Sequence, residues 1–91
     1  MSCAVETTQR FRRSIPQGHH AAVVETLNAV RDGFGNPHLH SGLSIRKLAR
    51  QIYECRTGLG LRLVFEAKKG TLTFDFAGSH DDVRAYLKGR R

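Results

Sequence analysis

The sequence contains no tryptophan, one methionine, two prolines and two cysteines. No apolar run approaches the ~20 residues of a membrane-spanning helix, and the N-terminus lacks the apolar stretch of a signal peptide. Cys3 and Cys55 fit neither a disulfide framework nor the spacing of zinc ligands. These absences exclude a channel and a disulfide-rich secreted protein. They predict a reduced, cytoplasmic protein with no membrane partner, metal or cofactor.

Acidic residues are also scarce. Eight Asp and Glu stand against 15 Lys and Arg, so the net charge is +7. Eleven of the basic residues are Arg, whose planar guanidinium favours bidentate contacts with phosphate or carboxylate. With 40% hydrophobic residues, the chain is expected to form one globular domain over residues 1–91. The charge balance predicts a polyanionic or acidic partner.

The first part of the chain predicts a short strand and two helices. Residues 1–6 alternate like a strand, and Thr7 is a suitable N-cap for a short helix through Ser14. Pro16 suits the first turn of a second helix over residues 17–32, so the two helices would form a hairpin. The apolar positions of the second helix have the spacing of one helix face: Val23, Val24, Leu27 and Val30.

After a loop at residues 36–44, the hydrophobic period changes to two. Residues 52–57, 60–68 and 71–77 alternate, and their linkers are short enough for hairpins. The pattern of residues 45–50 is ambiguous. The predicted fold class is α+β: an N-terminal helix hairpin packed on an antiparallel meander of three to four strands, with a short C-terminal helix.

The alternation gives the meander two different faces. The apolar face is expected to pack on the helices and carries Tyr53, Cys55, Leu61, Leu63, Phe65, Leu72, Phe74 and Phe76. The other face is too polar for a second core and predicts a groove; it carries Glu54, Arg56, Arg62, Val64, Glu66, Thr73 and Asp75.

The C-terminal segment has a helix start signal. Ser79 is a good N-cap, and Asp82 stands three residues later as its capping-box partner. The apolar side of the helix that follows would consist of Val83, Tyr86 and Leu87.

Three segments carry a resemblance to a known family. They are Tyr53-Glu54-Cys55-Arg56, Leu61-Arg62-Leu63-Val64-Phe65 and Gly78-Ser79-His80-Asp81-Asp82-Val83. In this order after a helix hairpin, they resemble the RelE/ParE superfamily of bacterial toxins. The pattern is most similar to the branch of mRNA interferases that includes RelE, YafQ and YoeB.

The resemblance implies a small α+β toxin held inactive by a co-expressed antitoxin. The RelE branch is implied to cleave translated mRNA on the ribosome, whereas the ParE branch is implied to poison gyrase. A ribosome-dependent endoribonuclease that acts through the ribose 2′-OH is therefore the expected function. A ParE-like gyrase inhibitor and a non-catalytic binding module remain alternatives. The expected partners are an antitoxin, the ribosome and mRNA, and the oligomeric state stays open.

RNA cleavage without a metal needs a base, an acid and a cation for the charge that develops on phosphorus. The resemblance makes His80 the expected general acid, because YafQ and YoeB carry a functional His in this turn. A surface histidine at a helix start is the alternative. Arg62 projects from the polar face and is the expected phosphate clamp. Its alternative is a salt bridge to Glu54 or Glu66.

Three further residues complete the expected site, two as candidate bases and one as a substrate-binding residue. His38 and His40 lie in the loop before the sheet, where the resemblance implies a carboxylate or a histidine, and either could be the general base. Arg56 shares the face of Arg62 and would assist phosphate binding. The alternatives are a solvent-exposed loop for the histidines and a cross-strand ion pair for Arg56.

A basic cluster and two departures from the family pattern accompany this set. Arg46, Lys47 and Arg50 would suit rRNA phosphates, with an ordinary solvated face as the alternative. Glu54 stands where the RelE branch would have Lys, and an ion pair with a neighbouring Arg explains it better than a role as base. Arg84 stands where RelE-like members often carry Tyr, which argues against a tyrosine as the general acid.

Overall fold

The computed structural model describes residues 3–36 and 42–89. Within them, the strands form one five-stranded sheet in the order β1-β5-β4-β3-β2. Strands β2 to β5 pair antiparallel in succession, as the predicted meander requires, and β1 pairs parallel with β5. The elements are β1 (Ala4–Thr7), α1 (Gln9–Ser14), α2 (His20–Gly33), β2 (Arg46–Ala49), β3 (Ile52–Arg56), β4 (Arg62–Lys68), β5 (Thr71–Gly78) and α3 (His80–Gly89).

The expected strand number, three to four, is corrected to five. The ambiguous segment contains the edge strand β2, whose side chains are mostly exposed and whose alternation is broken by a bulge between Lys47 and Ala49. Strand β1 joins the sheet by pairing with β5 near the other end of the chain. Local hydrophobic periodicity cannot reveal an irregular edge strand, and it cannot identify a pairing strand that is so distant in sequence.

Both N-terminal helices begin later than predicted. Thr8, not Thr7, is the N-cap of α1, because its Oγ1 accepts a hydrogen bond of 3.1 Å from the backbone N–H of the third helical residue. Helix α2 begins at His20, since Gly18 has a φ of +87°, outside the helical range. Pro16 therefore precedes a turn and does not lie in the first turn of α2.

The main core lies between the sheet and helices α1 and α2, on the predicted apolar face. The Phe65 ring is fully buried there, 4.7 Å from the Phe74 ring and 5.7 Å from the Tyr53 ring between centroids. Burial raises the pKa of the Cys55 thiol from 9.0 to about 12, so Cys55 is an uncharged core residue and not a nucleophile. The buried members are Phe11, Val23, Val30, Cys55, Leu61, Leu63, Phe65, Leu72, Phe74 and Ala77.

The prediction that the opposite face is too polar for a core is wrong. Ile52 and Val64 are buried on that face together with Val83 of α3, and they form a second, smaller core. Helix α3 packs mainly on β4 and β5, so it covers one part of the face and leaves the other open. The residues packed around this core are Leu48, Phe76, Tyr86 and Leu87.

Phe76 packs on this second core, although its place in the alternation predicts that it belongs to the first core. Val64 pairs with Phe76 while Phe65 pairs with Phe74, so β5 has one extra residue, Asp75, at this point. Such a bulge reverses the face of every residue that follows it. It thereby supplies α3 with an aromatic ring to pack against.

Replacing Val83 with alanine tests the second core. The side chain is 3% exposed, and we expect the free energy of unfolding to fall by about 2 kcal/mol. Chemical denaturation would measure the loss. Arg84→Ala is the matched control, because Arg84 is an exposed neighbour on the same helix and its loss should cost less than about 0.5 kcal/mol. Equal effects of the two changes would contradict the packing described above.

Candidate functional site

Three arginines line a cleft on the part of the sheet that α3 leaves open. Arg46 pairs with Glu54 across β2 and β3, and Arg56 pairs with Arg62 across β3 and β4, so these side chains share one face. The cleft has a volume of about 320 Å³. Its lining, called the arginine cleft below, consists of Ser44, Ile45, Arg46, Glu54, Arg56 and Arg62.

A buried carboxylate holds two of these arginines. Arg62 Nη1 donates a hydrogen bond of 2.7 Å to Glu54 Oε2, and Arg46 Nη2 lies 3.4 Å from the same oxygen. The side chain of Glu54 is 4% exposed, that of Arg62 17% and that of Arg46 64%. The salt bridge considered for Arg62 therefore exists, and Arg62 nevertheless lines the cleft.

The arginine cleft keeps a positive charge in spite of this carboxylate. Three guanidinium groups and one carboxylate leave two net positive charges on its walls. Arg56 is exposed, and within residues 3–36 and 42–89 no carboxylate forms an ion pair with it. The cleft can therefore attract an anion that contacts more than one guanidinium group.

His80 is the first residue of α3 and is exposed. It follows Gly78 by two residues, and Gly78 is the register partner of Arg62 on the neighbouring strand. A Cβ on Gly78 would come within 2.7 Å of the Asp82 Cβ, so only glycine permits this tight entry into the helix. This pair of register partners is the link that the described residues show between Arg62 and His80, and His80 itself does not line the arginine cleft.

The backbone is similar to those of solved toxins. It matches YafQ from E. coli strain BL21(DE3) with a TM-score of 0.66 and 14% identity, over 89% of this chain and 97% of that chain. It matches the RelB-RelE antitoxin-toxin complex from Methanococcus jannaschii with a TM-score of 0.66 and 15% identity, over 90% of this chain and 98% of that chain. This chain has the fold of the RelE and YafQ toxins. No family model and no curated protein matches the sequence.

A third solved structure has the same RelE-type fold. The archaeal RelE-RelB complex from Pyrococcus horikoshii OT3 matches with a TM-score of 0.61 and 15% identity, over 87% of this chain and 96% of that chain. At identities this low, the TM-scores establish a common backbone fold but not a common set of side chains. The chemistry of the site therefore has to be argued from the side chains of this chain.

The RelE-type sheet divides the basic cluster predicted from the sequence. Arg46 faces the arginine cleft, whereas Lys47 pairs with Tyr53 and therefore lies on the opposite face. Arg50 lies in the turn between β2 and β3. Of the three, only Arg46 lines the cleft, and the sequence spacing could not distinguish them without knowing that residues 46–49 form a strand.

The two candidate general bases, His38 and His40, lie outside the described residues. Among the residues that the structure describes, no group of three His, Cys, Asp or Glu side chains could hold a metal ion. No helix in the same part of the chain is long and apolar enough to cross a membrane.

A polar cluster that the sequence analysis missed fixes the position of α3. The Tyr86 hydroxyl donates a hydrogen bond to Asp75 Oδ2, and Arg10 Nη1 of α1 lies 3.3 Å from the same oxygen. The Arg10 guanidinium also lies over the Tyr86 ring, 5.8 Å from its centroid. Asp75 can reach both helices because it is the extra residue of the β5 bulge, a feature with no local sequence signal.

The predicted capping box at the start of α3 is present. The Ser79 backbone N–H donates to Asp82 Oδ2, and the Asp82 backbone N–H donates to Ser79 Oγ, both at 3.1 Å. The Ser79 backbone N–H, and secondly its hydroxyl, lower the pKa of Asp82 below 3.8. The box fixes the backbone on both sides of His80.

This capping box should make the stability of the RelE-type fold depend on pH. A lowered carboxyl pKa stabilises the fold above pH 3.8, and that contribution disappears as the pH falls through the pKa of the folded state. We therefore expect Asp82→Asn to lower the thermal unfolding temperature near neutral pH. The difference from wild type should vanish well below pH 3.8. A difference that persists unchanged in acid would rule out the ionised cap.

Proposed function

We propose that this chain is the toxin of a type II toxin-antitoxin system and cleaves translated mRNA on the ribosome. The observation that carries the proposal is the arginine cleft, which opens on the sheet of a RelE-type fold beside the strand that leads to His80. A phosphodiester has the charge and the shape that several guanidinium groups recognise. The solved relatives named RelE and YafQ support the same assignment through the fold.

The proposed reaction needs no metal. A base removes the proton from the ribose 2′-OH, the oxygen attacks phosphorus, and the bond to the 5′-oxygen breaks to leave a 2′,3′-cyclic phosphate. In this scheme Arg62 and Arg56 stabilise the charge on the five-coordinate phosphorus. His80 protonates the departing 5′-oxygen, and His38 or His40 is the base.

An antitoxin is the proposed protein partner. The solved relatives include RelB-RelE and DinJ-YafQ complexes, in which a toxin is bound to its antitoxin. The net charge of +7 on this chain favours an acidic antitoxin segment. The same charge would attract the ribosome and mRNA, which are polyanions. The proposed location is the cytoplasm, where these partners meet.

Induction of the gene in a bacterial host tests the function. We expect growth arrest, rescue by co-expression of the adjacent gene, and new mRNA 5′ ends that map within codons of translated reading frames. Untranslated transcripts should stay intact. Growth arrest with intact mRNA and an SOS response would instead indicate a gyrase inhibitor. Normal growth with intact transcripts would indicate a binding module.

A further inference from the structure

The arginine cleft contains a feature that opposes its proposed ligand. Glu54 places a buried negative charge among cations that should bind a phosphate, with its Oε2 bonded to Arg62 at 2.7 Å. A carboxylate at this point repels the substrate and also needs a compensating cation, because a buried unpaired charge is costly. Its presence therefore calls for a role in the site.

We infer that Glu54 is a positioning residue with two effects on the same site. It fixes the guanidinium of Arg62 for the transition state, and it limits the affinity of the cleft for RNA by neutralising one of three cations. This inference rests on the proposed function, because it concerns the phosphate that the cleft would bind.

The positioning effect follows from the geometry of the ion pair. Arg62 is 17% exposed and donates one N–H to the buried Glu54 carboxylate at 2.7 Å, which restricts the orientations open to the guanidinium. Among the described residues, Glu54 is the hydrogen-bond partner of this guanidinium, and the N–H groups that do not contact it can donate to a ligand where they reach the cleft. A guanidinium held in place requires less reorganisation when charge develops on phosphorus.

The restraint on affinity follows from the charge count. Replacing Glu54 by Gln keeps the size and an oxygen acceptor but raises the net charge of the cleft walls from two to three. One charge at about 4 Å changes binding by about fivefold even with the screening of water. One more available cation also steepens the dependence of single-stranded RNA binding on salt by about 0.7 in the log–log slope.

The experiment compares Glu54→Gln with Glu66→Gln. Glu66 is the matched control, because it pairs with Ile52 on the same face but at the other end of β3 and β4, and it does not line the cleft. Binding of a single-stranded RNA oligonucleotide is measured by fluorescence anisotropy over a range of salt concentrations. Cleavage is measured in single turnovers on ribosomes programmed with mRNA.

We expect Glu54→Gln to bind RNA about fivefold more tightly with a steeper salt slope, yet to cleave mRNA at least about tenfold more slowly. Glu66→Gln should match wild type in all three measurements. A merely structural role would weaken binding and cleavage together and would leave the salt slope unchanged. Unchanged affinity and slope would overturn the restraint, and unchanged cleavage would overturn the positioning.

Glu54→Asp keeps the inference testable if the glutamine variant does not fold. It retains the charge but shortens the reach to Arg62, so we expect the wild-type salt slope with slower cleavage. Wild-type cleavage in this variant would overturn the positioning role. If wild type itself cleaves no mRNA, the proposed function fails, while RNA binding by the glutamine variant still decides whether Glu54 limits affinity.

Discussion

Replacing Arg62 with alanine should slow mRNA cleavage by about 10²–10³-fold in single turnovers on the ribosome, the usual effect of losing one donor to a developing oxyanion. Of the two arginines that pair with Glu54, Arg62 is the less exposed, and its Nη1 lies 2.7 Å from the buried carboxylate. Arg56 and Arg46 retain positive charge in the variant, so RNA binding should decline much less than the rate. The split between the two measurements identifies a group that acts mainly in the transition state.

The same change has a cost for stability that must be separated from the chemistry. Without Arg62, the contact that Glu54 keeps among the described residues is the weaker one with Arg46 at 3.4 Å, and breaking a buried pair typically costs about 3–5 kcal/mol. Adding Glu54→Gln removes the unpaired charge, so the double variant should recover most of the stability but none of the cleavage. Chemical denaturation and the cleavage assay together make this distinction.

Two variants serve as controls for the Arg62 result. Arg62→Lys keeps the charge but loses the planar fork, so it should restore RNA binding without restoring the full rate. Arg31→Ala removes the same side chain from α2, where Arg31 pairs with the exposed Asp32, and it should cleave like wild type. A folded double variant of Arg62 and Glu54 that cleaves at the wild-type rate would exclude Arg62 from the mechanism.

The regular parts of the fold could be predicted from the sequence because their signals are local. Alternation along β3 and β4 correctly assigned Cys55, Leu63 and Phe65 to the main core. The same alternation placed Glu54 and Arg62 on one face in neighbouring strands, which made their ion pair foreseeable. The capping box and the apolar side of α3 are also local patterns, and both are present.

The second core could not be predicted, because it depends on one irregularity in β5. The extra residue at Asp75 transfers Phe76 to the face that α3 covers, and no spacing rule indicates where a bulge will occur. The alternation was therefore correct as far as Phe74 and misleading after it. The polar face had enough apolar residues for a small core only once this ring was added.

The candidate site was foreseen in its arginines but not in its support. Arg56 and Arg62 were predicted on one face and do line the cleft. The division between Arg46 and Lys47 depends on the edge strand β2, whose pattern was ambiguous. The contact of Asp75 with Tyr86 joins the bulge to α3, so it depends on tertiary structure that a linear pattern does not contain.

Replacing His80 with alanine should slow mRNA cleavage by about 10²–10⁴-fold, the range for a lost general acid. The side chain is exposed and forms no hydrogen bond with the described residues, so the free energy of unfolding should change by less than about 0.5 kcal/mol. His20→Ala is the matched control, because His20 is likewise an exposed first residue of a helix. It should cleave at the wild-type rate.

A change in the substrate distinguishes a general acid from a group that merely binds RNA. Sulfur in place of the departing 5′-oxygen gives a thiolate leaving group. A thiolate needs no proton to depart, because the pKa of a thiol is about 8.5. With this substrate, His80→Ala should regain most of the wild-type rate, while the double variant of Arg62 and Glu54 should stay slow, since the charge on phosphorus still needs its cation. If the sulfur substrate rescued neither variant, His80 would be a binding residue, and another group would have to protonate the 5′-oxygen.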